Sequence, residues 1–94
     1  MTTVYTIKGH NGFLIVALGH AEGSPEVCSA VSMMMTTAAN WTLANGYDGV
    51  QVLKDGQAMI FIPLEMRGSE TVYNLMKVGF EGLIKSYPEY IKAG

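Results

Sequence analysis

The chain reads as an α+β protein with element order ββαββα, a two-layer fold in which two helices pack on one face of a mixed four-stranded sheet. Three observations predict it. Two Asx-Gly pairs, Asn11-Gly12 and Asp55-Gly56, each separate short β-prone apolar runs, which is the pattern of a hairpin. A longer stretch after each hairpin repeats its apolar residues at helical spacing. The length of 94 residues, 49% hydrophobic and 15% charged, suits one domain over residues 1–94 with a modest core.

The first hairpin pairs Val4 to Lys8 with Phe13 to Leu18 across Asn11-Gly12, residue types that tolerate positive φ. The second run, FLIVAL, is apolar throughout. It is therefore expected at the centre of the sheet, covered by helices on one face and by a partner subunit on the other. His10, in the turn, is expected in solvent.

Ser24 is a preferred N-cap, Pro25 fits the first helical position because its missing N–H would have no partner there, and Glu26 complements the dipole. Along that helix Val27, Val31, Met34, Met35, Ala38 and Thr42 share one face, with Ser29, Thr36 and Asn40 opposite. Asn45-Gly46 ends it. Val50 to Leu53 and Ala58 to Ile62 form the second hairpin around Asp55-Gly56, and Pro63 closes it. Ser69 is expected to cap a second helix whose Val72, Met76, Gly79, Phe80, Leu83 and Tyr87 make the apolar face, with Asn74, Glu81 and Lys85 outward. Pro88 stops it. An interior helical glycine costs about 1 kcal/mol relative to alanine, so Gly79 is expected to serve close packing on the sheet.

Charge and composition exclude several classes of function. Six Lys and Arg against eight Asp and Glu give a net charge of −2, which leaves no basic footprint for nucleic acid. No apolar stretch approaches the roughly 20 residues of a membrane span, and MTTVYTIKG lacks the charged flank and apolar core of a leader, so the expected location is the cytoplasm. One cysteine rules out an intrachain disulfide framework and suits a reducing compartment. Two distant histidines and that cysteine form no ligand cluster, and GSPE and RGSE lack a P-loop lysine, so neither metal nor cofactor is expected. The seven methionines are chiefly core filler at helical spacing, although Met33 faces the polar side and suits a groove or a dimer contact.

Chemistry concentrates in the segment LGHAEGSPEVCSAVS. His20 ends an apolar run, and Cys28 enters the start of a helix on the flank of its apolar stripe. A thiol attacks carbonyls as thiolate, and an ordinary cysteine with pKa near 8.5 is only a few per cent ionised at neutral pH. A helix N-terminus and a neighbouring imidazole are the two known devices that favour thiolate, and this segment offers both. The same N–H groups suit an oxyanion. Ser32, one turn after Cys28, is expected to bond back to the helix backbone rather than to line the site.

GHA, a short loop and VCSAVS together resemble the ribosomal-processing cysteine protease (Prp) family, and the hairpins and the closing YPEYI are similar to it across nearly the whole chain. The resemblance implies a cysteine endopeptidase with Cys28 as nucleophile and His20 as general base. It further implies a homodimer whose substrate is the N-terminal extension of a large-subunit ribosomal protein or, in phage settings, a capsid or scaffold precursor. Two features depart from the family pattern: the interval from His20 to Cys28 is shorter, and the acidic residue usual a few places before the cysteine is absent, with Pro25 and Glu26 in its neighbourhood. Glu26 is explained by the helix dipole alone and stays outside the site. The alternative reading is a catalytically weak homodimeric peptide-binding module of the same fold. A thiol redox sensor is disfavoured because no second cysteine could resolve it.

Overall fold

Alternation along the strands decides which side of the sheet the helices cover. The computed structural model describes residues 1–94. In chain order the elements are β1 (Thr2–Lys8), β2 (Gly12–Leu18), α1 (Pro25–Ala44), β3 (Val50–Lys54), β4 (Gln57–Pro63), α2 (Ser69–Ser86) and β5 (Ile91–Ala93). The core draws on Val4 from β1, on Phe13, Ile15 and Ala17 from β2, and on Ala58, Ile60 and Ile62 from β4. These are every second residue, so both helices lie on one face. Val27, Val31, Met35 and Ala38 of α1 and Tyr73, Met76 and Phe80 of α2 complete the core. Tyr73 stacks on Phe13 with ring centroids 4.5 Å apart. Burying such side chains stabilises by about 1.5–3 kcal/mol each.

The class expected from sequence is borne out, with one strand more. The five-stranded sheet runs β3-β4-β2-β1-β5, which puts FLIVAL at its centre. The four strands foreseen pair antiparallel throughout, β1 with β2, β2 with β4 and β3 with β4. The sheet is mixed only because β5 joins β1 in parallel, with Thr2 opposite Ile91 and Val4 opposite Ala93. The second helix stops at Ser86, so Tyr87 caps it instead of joining its apolar face, and YPEYI lies beyond it. It makes a turn, Tyr90 N–H to Tyr87 O at 3.0 Å, and leads into the strand. Three residues are too few for periodicity to announce them.

Other local expectations need correction. The cap of α2 is Gly68, left-handed at φ 85°, and not Ser69. The Ser69 hydroxyl instead donates to Leu64 O at 3.1 Å, a better use for a buried group than the helix's own amides. Gly79 serves the other helix and not the sheet, since a Cβ there would lie 2.5 Å from Met34 Cε of α1. Neither Asn11 nor Asp55 takes positive φ; only the glycines do, at 153° for Gly12 and 75° for Gly56. The second hairpin thus turns on two residues, of which only Gly56 is left-handed.

The opposite face of the sheet has no helix. Tyr5 and Ile7 of β1 are 37% and 48% exposed there, beside half-buried Leu14, Leu18, Met59 and Phe61. No helix is long and apolar enough to cross a membrane.

Candidate active site

Gly19, the first residue after β2, is held from three sides. Its φ is 87°, Thr2 Oγ1 donates to its carbonyl at 3.2 Å, and its N–H donates to Gly56 O at 2.8 Å. A Cβ at this position would come 2.5 Å from Met1 O, so the strand end demands glycine. His20 follows at once, its backbone fixed by these bonds and its side chain 50% exposed. The hydrogen bond from Gly19 also draws the β3–β4 turn against the imidazole. A Cβ on Gly56 would lie 2.8 Å from His20 Nε2, and Asp55 Oδ2 is 3.7 Å from the same nitrogen.

The start of α1 forms as its sequence foretells. The Ser24 hydroxyl accepts from Val27 N–H at 3.3 Å and donates to Glu26 Oε2 at 3.1 Å. Ser24 O in turn accepts from Cys28 N–H at 3.2 Å, the first α-helical bond. These bonds consume most of the amides that were expected to hold an oxyanion. Pro25 has no N–H, and Val27 and Cys28 are both engaged; Glu26 N–H is the one left free in the first turn. In the loop before it, Glu22 and Gly23 also keep amides without a partner in the chain.

Cys28 is half-buried, on the border its helical phase suggests. Its thiol reaches Ala21 O at 3.7 Å, a weak S–H···O contact back across the loop. His20 and Cys28 line one open groove of about 410 Å³. The structure brings them to the same cleft without a direct hydrogen bond between thiol and imidazole; the thiol reaches Ala21 and the imidazole faces Asp55.

The groove runs between α1 and the β3–β4 hairpin. Val31, Met35, Ala17, Ala58 and Leu53 make its apolar part, and Lys54, Asp55 and Gln57 its polar rim. Ser32 lines the groove and makes no bond back to the helix, contrary to expectation. Met33 stands outside the cleft, 68% exposed, while its neighbour Met35 contributes to the lining from the core side. The hairpin tip is the part that sequence reasoning missed. Asp55 and Gly56 read as a turn, and what brings them to His20 is the antiparallel register of β2 with β4, in which Leu18 faces Gln57. His10 lies in solvent, as expected.

Comparison with known proteins bears on the family and the fold. The family model described as Cysteine protease Prp matches residues 1–92. Among solved structures, the chain is similar to an essential ribosomal processing protease Prp from S. aureus with a covalently linked product peptide, at TM-score 0.77 and 17% identity over 100% of this chain and 98% of that one. The same S. aureus protease with a substrate peptide gives TM-score 0.75 and 16% identity over 100% and 98% of the two chains. A Streptococcus mutans protein gives TM-score 0.72 and 22% identity over 99% and 95%. No curated protein matches.

Proposed function

Because the chain belongs to the cysteine protease Prp family and is a cysteine protease of that kind, we propose that it cuts a peptide bond in the groove between α1 and the β3–β4 hairpin, with Cys28 as nucleophile and His20 as general base. The observation that carries this reading is the groove itself, because the only thiol of the chain and a half-exposed imidazole share it. In the reaction His20 takes the thiol proton and Sγ attacks the scissile carbonyl. Amides left free near the helix start, Glu26 first among them, are the donors assigned to the developing oxyanion in this reading. The imidazolium then returns its proton to the leaving amine, and water hydrolyses the thioester to free the second product.

The substrate is an extended peptide. The S. aureus neighbours hold a product and a substrate peptide, and their description as ribosomal processing proteases supports the N-terminal extension of a large-subunit ribosomal protein as the client. A phage capsid or scaffold precursor offers the same chemistry. Apolar side chains suit the stretch beside Val31, Met35 and Leu53. We read residues 1–94 as a single domain of this family, acting in the cytoplasm.

We also read the protein as a homodimer. The helix-free face exposes Tyr5 and Ile7 beside a row of half-buried apolar residues, more apolar surface than a lone small protein ordinarily leaves in water. Ile7→Lys on this face should give a monomer by light scattering, whereas Val78→Lys, on the exposed side of α2, should leave a dimer. A wild-type monomer at micromolar concentration would refute this part.

Cleavage is tested with peptides spanning the N-terminal extensions of candidate clients. Wild type should cut one bond, and Cys28→Ala should bind the same peptide without cutting it. Binding by both with no fragments from either by mass spectrometry would overturn the protease reading and leave a peptide-binding module. Cleavage by Cys28→Ala would assign the chemistry to another nucleophile.

A further inference from the structure

We infer that Asp55 is a positioning residue for His20: the β3–β4 turn carries its carboxylate to Nε2 of the imidazole and thereby leaves Nδ1 as the nitrogen available to the Cys28 thiol. The inference rests on the Cys28–His20 reading above and adds the third group to it. Two contacts of the β3–β4 turn meet the same ring edge, and a backbone bond anchors the turn beside it. Asp55 Oδ2 stands 3.7 Å from Nε2. Gly56 meets the ring at the same edge, where a Cβ would lie 2.8 Å from Nε2 but 3.3 and 3.4 Å from Cδ2 and Cε1. The Gly19 N–H to Gly56 O bond at 2.8 Å ties that turn to the residue preceding His20.

A neutral imidazole carries its proton on one nitrogen and a lone pair on the other, and the partner of the first decides which is left basic. A carboxylate 3.7 Å from Nε2 is too far for a direct hydrogen bond, but its charge favours the proton on that nitrogen, and a small rotation of the exposed Asp55 side chain closes the gap. The lone pair then sits on Nδ1, and when Nδ1 accepts the thiol proton the imidazolium that forms is stabilised by the same carboxylate. No other acid competes for this role. The ion pairs of the chain are Lys8 with Glu70 and His20 with Asp55, and Glu26, the nearer acid in sequence, is bonded to Ser24. Lys54, the other charged group of the groove rim, neighbours Asp55 in the chain and has no ion-pair partner.

The Asp55 side chain is 97% exposed, so in the empty groove water weakens the pair. Because Asp55 and His20 both line the cleft, an occupant excludes that water and strengthens the contact when it is needed. Exposure also makes the test clean, since replacing Asp55 removes no buried contact.

The experiment follows alkylation of Cys28, the single cysteine, by iodoacetamide at fixed pH, alongside the imidazole nitrogen signals of His20 in ¹⁵N-labelled protein. Asp55→Asn and Asp55→Ala should slow alkylation about twofold to fivefold, the range of an exposed ion pair, and Asp55→Glu should restore most of the rate. Wild type should show His20 protonated at Nε2 when neutral, and Asp55→Asn should move it toward a mixture of the two tautomers. Unchanged rates and an unchanged tautomer in Asp55→Asn and Asp55→Ala, with alkylation still slowed by His20→Ala, overturn this inference alone. No effect of His20→Ala overturns the dyad and this inference with it.

Discussion

The chain has two histidines, and each stands beside an Asx-Gly turn, yet their surroundings differ entirely. His10 belongs to its own turn, next to Asn11-Gly12, and lies in solvent with no ion-pair partner. His20 stands beside a turn supplied from far along the sequence, Asp55-Gly56, which packs against the imidazole and places a carboxylate at one nitrogen. Both turns arise from the same local chemistry. What separates an idle histidine from one in a groove is the pairing of β2 with β4, which carries one hairpin tip to the end of another strand. Local rules build the pieces, and the register between distant strands makes the site.

That comparison breaks first on the histidines themselves. His20→Ala should slow peptide cleavage at least about a hundredfold, the usual size of a lost general base, while His10→Ala should stay within about twofold of wild type. Equal losses in the two variants would show that the β3–β4 turn confers nothing on His20.

A smaller effect separates the turn's shape from its position. Gly56 and Gly46 are both left-handed, at φ 75° and 82°, so alanine at either should cost about 1–2 kcal/mol in urea unfolding. Only Gly56→Ala also presses a methyl group on Nε2, for nothing lies within 4 Å of a Cβ at Gly46. Gly56→Ala should therefore slow Cys28 alkylation severalfold, and Gly46→Ala should leave it unchanged. Equal alkylation rates in the two would mean that the imidazole yields freely and the turn does not hold it.

The smallest effect tests the acid that sequence places nearer. Glu26 is spent on the Ser24 cap, so Glu26→Gln should cost about 0.5 kcal/mol of stability through the helix dipole and change alkylation by less than about twofold. A larger loss of reactivity than in Asp55→Asn would return the supporting role to Glu26.

Much of this was legible in the sequence because it is local. Ser24, Pro25 and Glu26 define the start of α1 by their own hydrogen-bonding and backbone preferences, and Cys28 follows on the flank of the stripe. Phe13, Ile15 and Ala17 show their alternation once the strand is assumed. Asp55 beside His20 was not legible, since the sequence does not state which strands pair in which register. The fifth strand escaped for a related reason. Ile91 to Ala93 have no periodicity of their own, and β1 beside them provides their order, with Thr2 N–H to Tyr90 O at 2.9 Å and Gly94 N–H to Val4 O at 2.8 Å. Gly79 marks a close approach in the sequence, but helical phase gives a direction and not the identity of the neighbour, which is Met34 of α1 and not the sheet. The engagement of the Val27 amide follows from Ser24 as N-cap, whereas the Glu26 amide is identified as the free one only by the observed bonds.

The two outermost strands have a consequence of their own. β3 is five residues long with a bulge between Val50 and Val52 and ends in Lys54, and β5 is three residues long around exposed Lys92. Short, kinked and lysine-bearing rims are poor templates for adding another strand. Whatever meets the helix-free face therefore does so broadside. Growth rim to rim, which would string copies into filaments, is disfavoured at both ends of the ladder, so the bare apolar face and not the edges is where copies can meet.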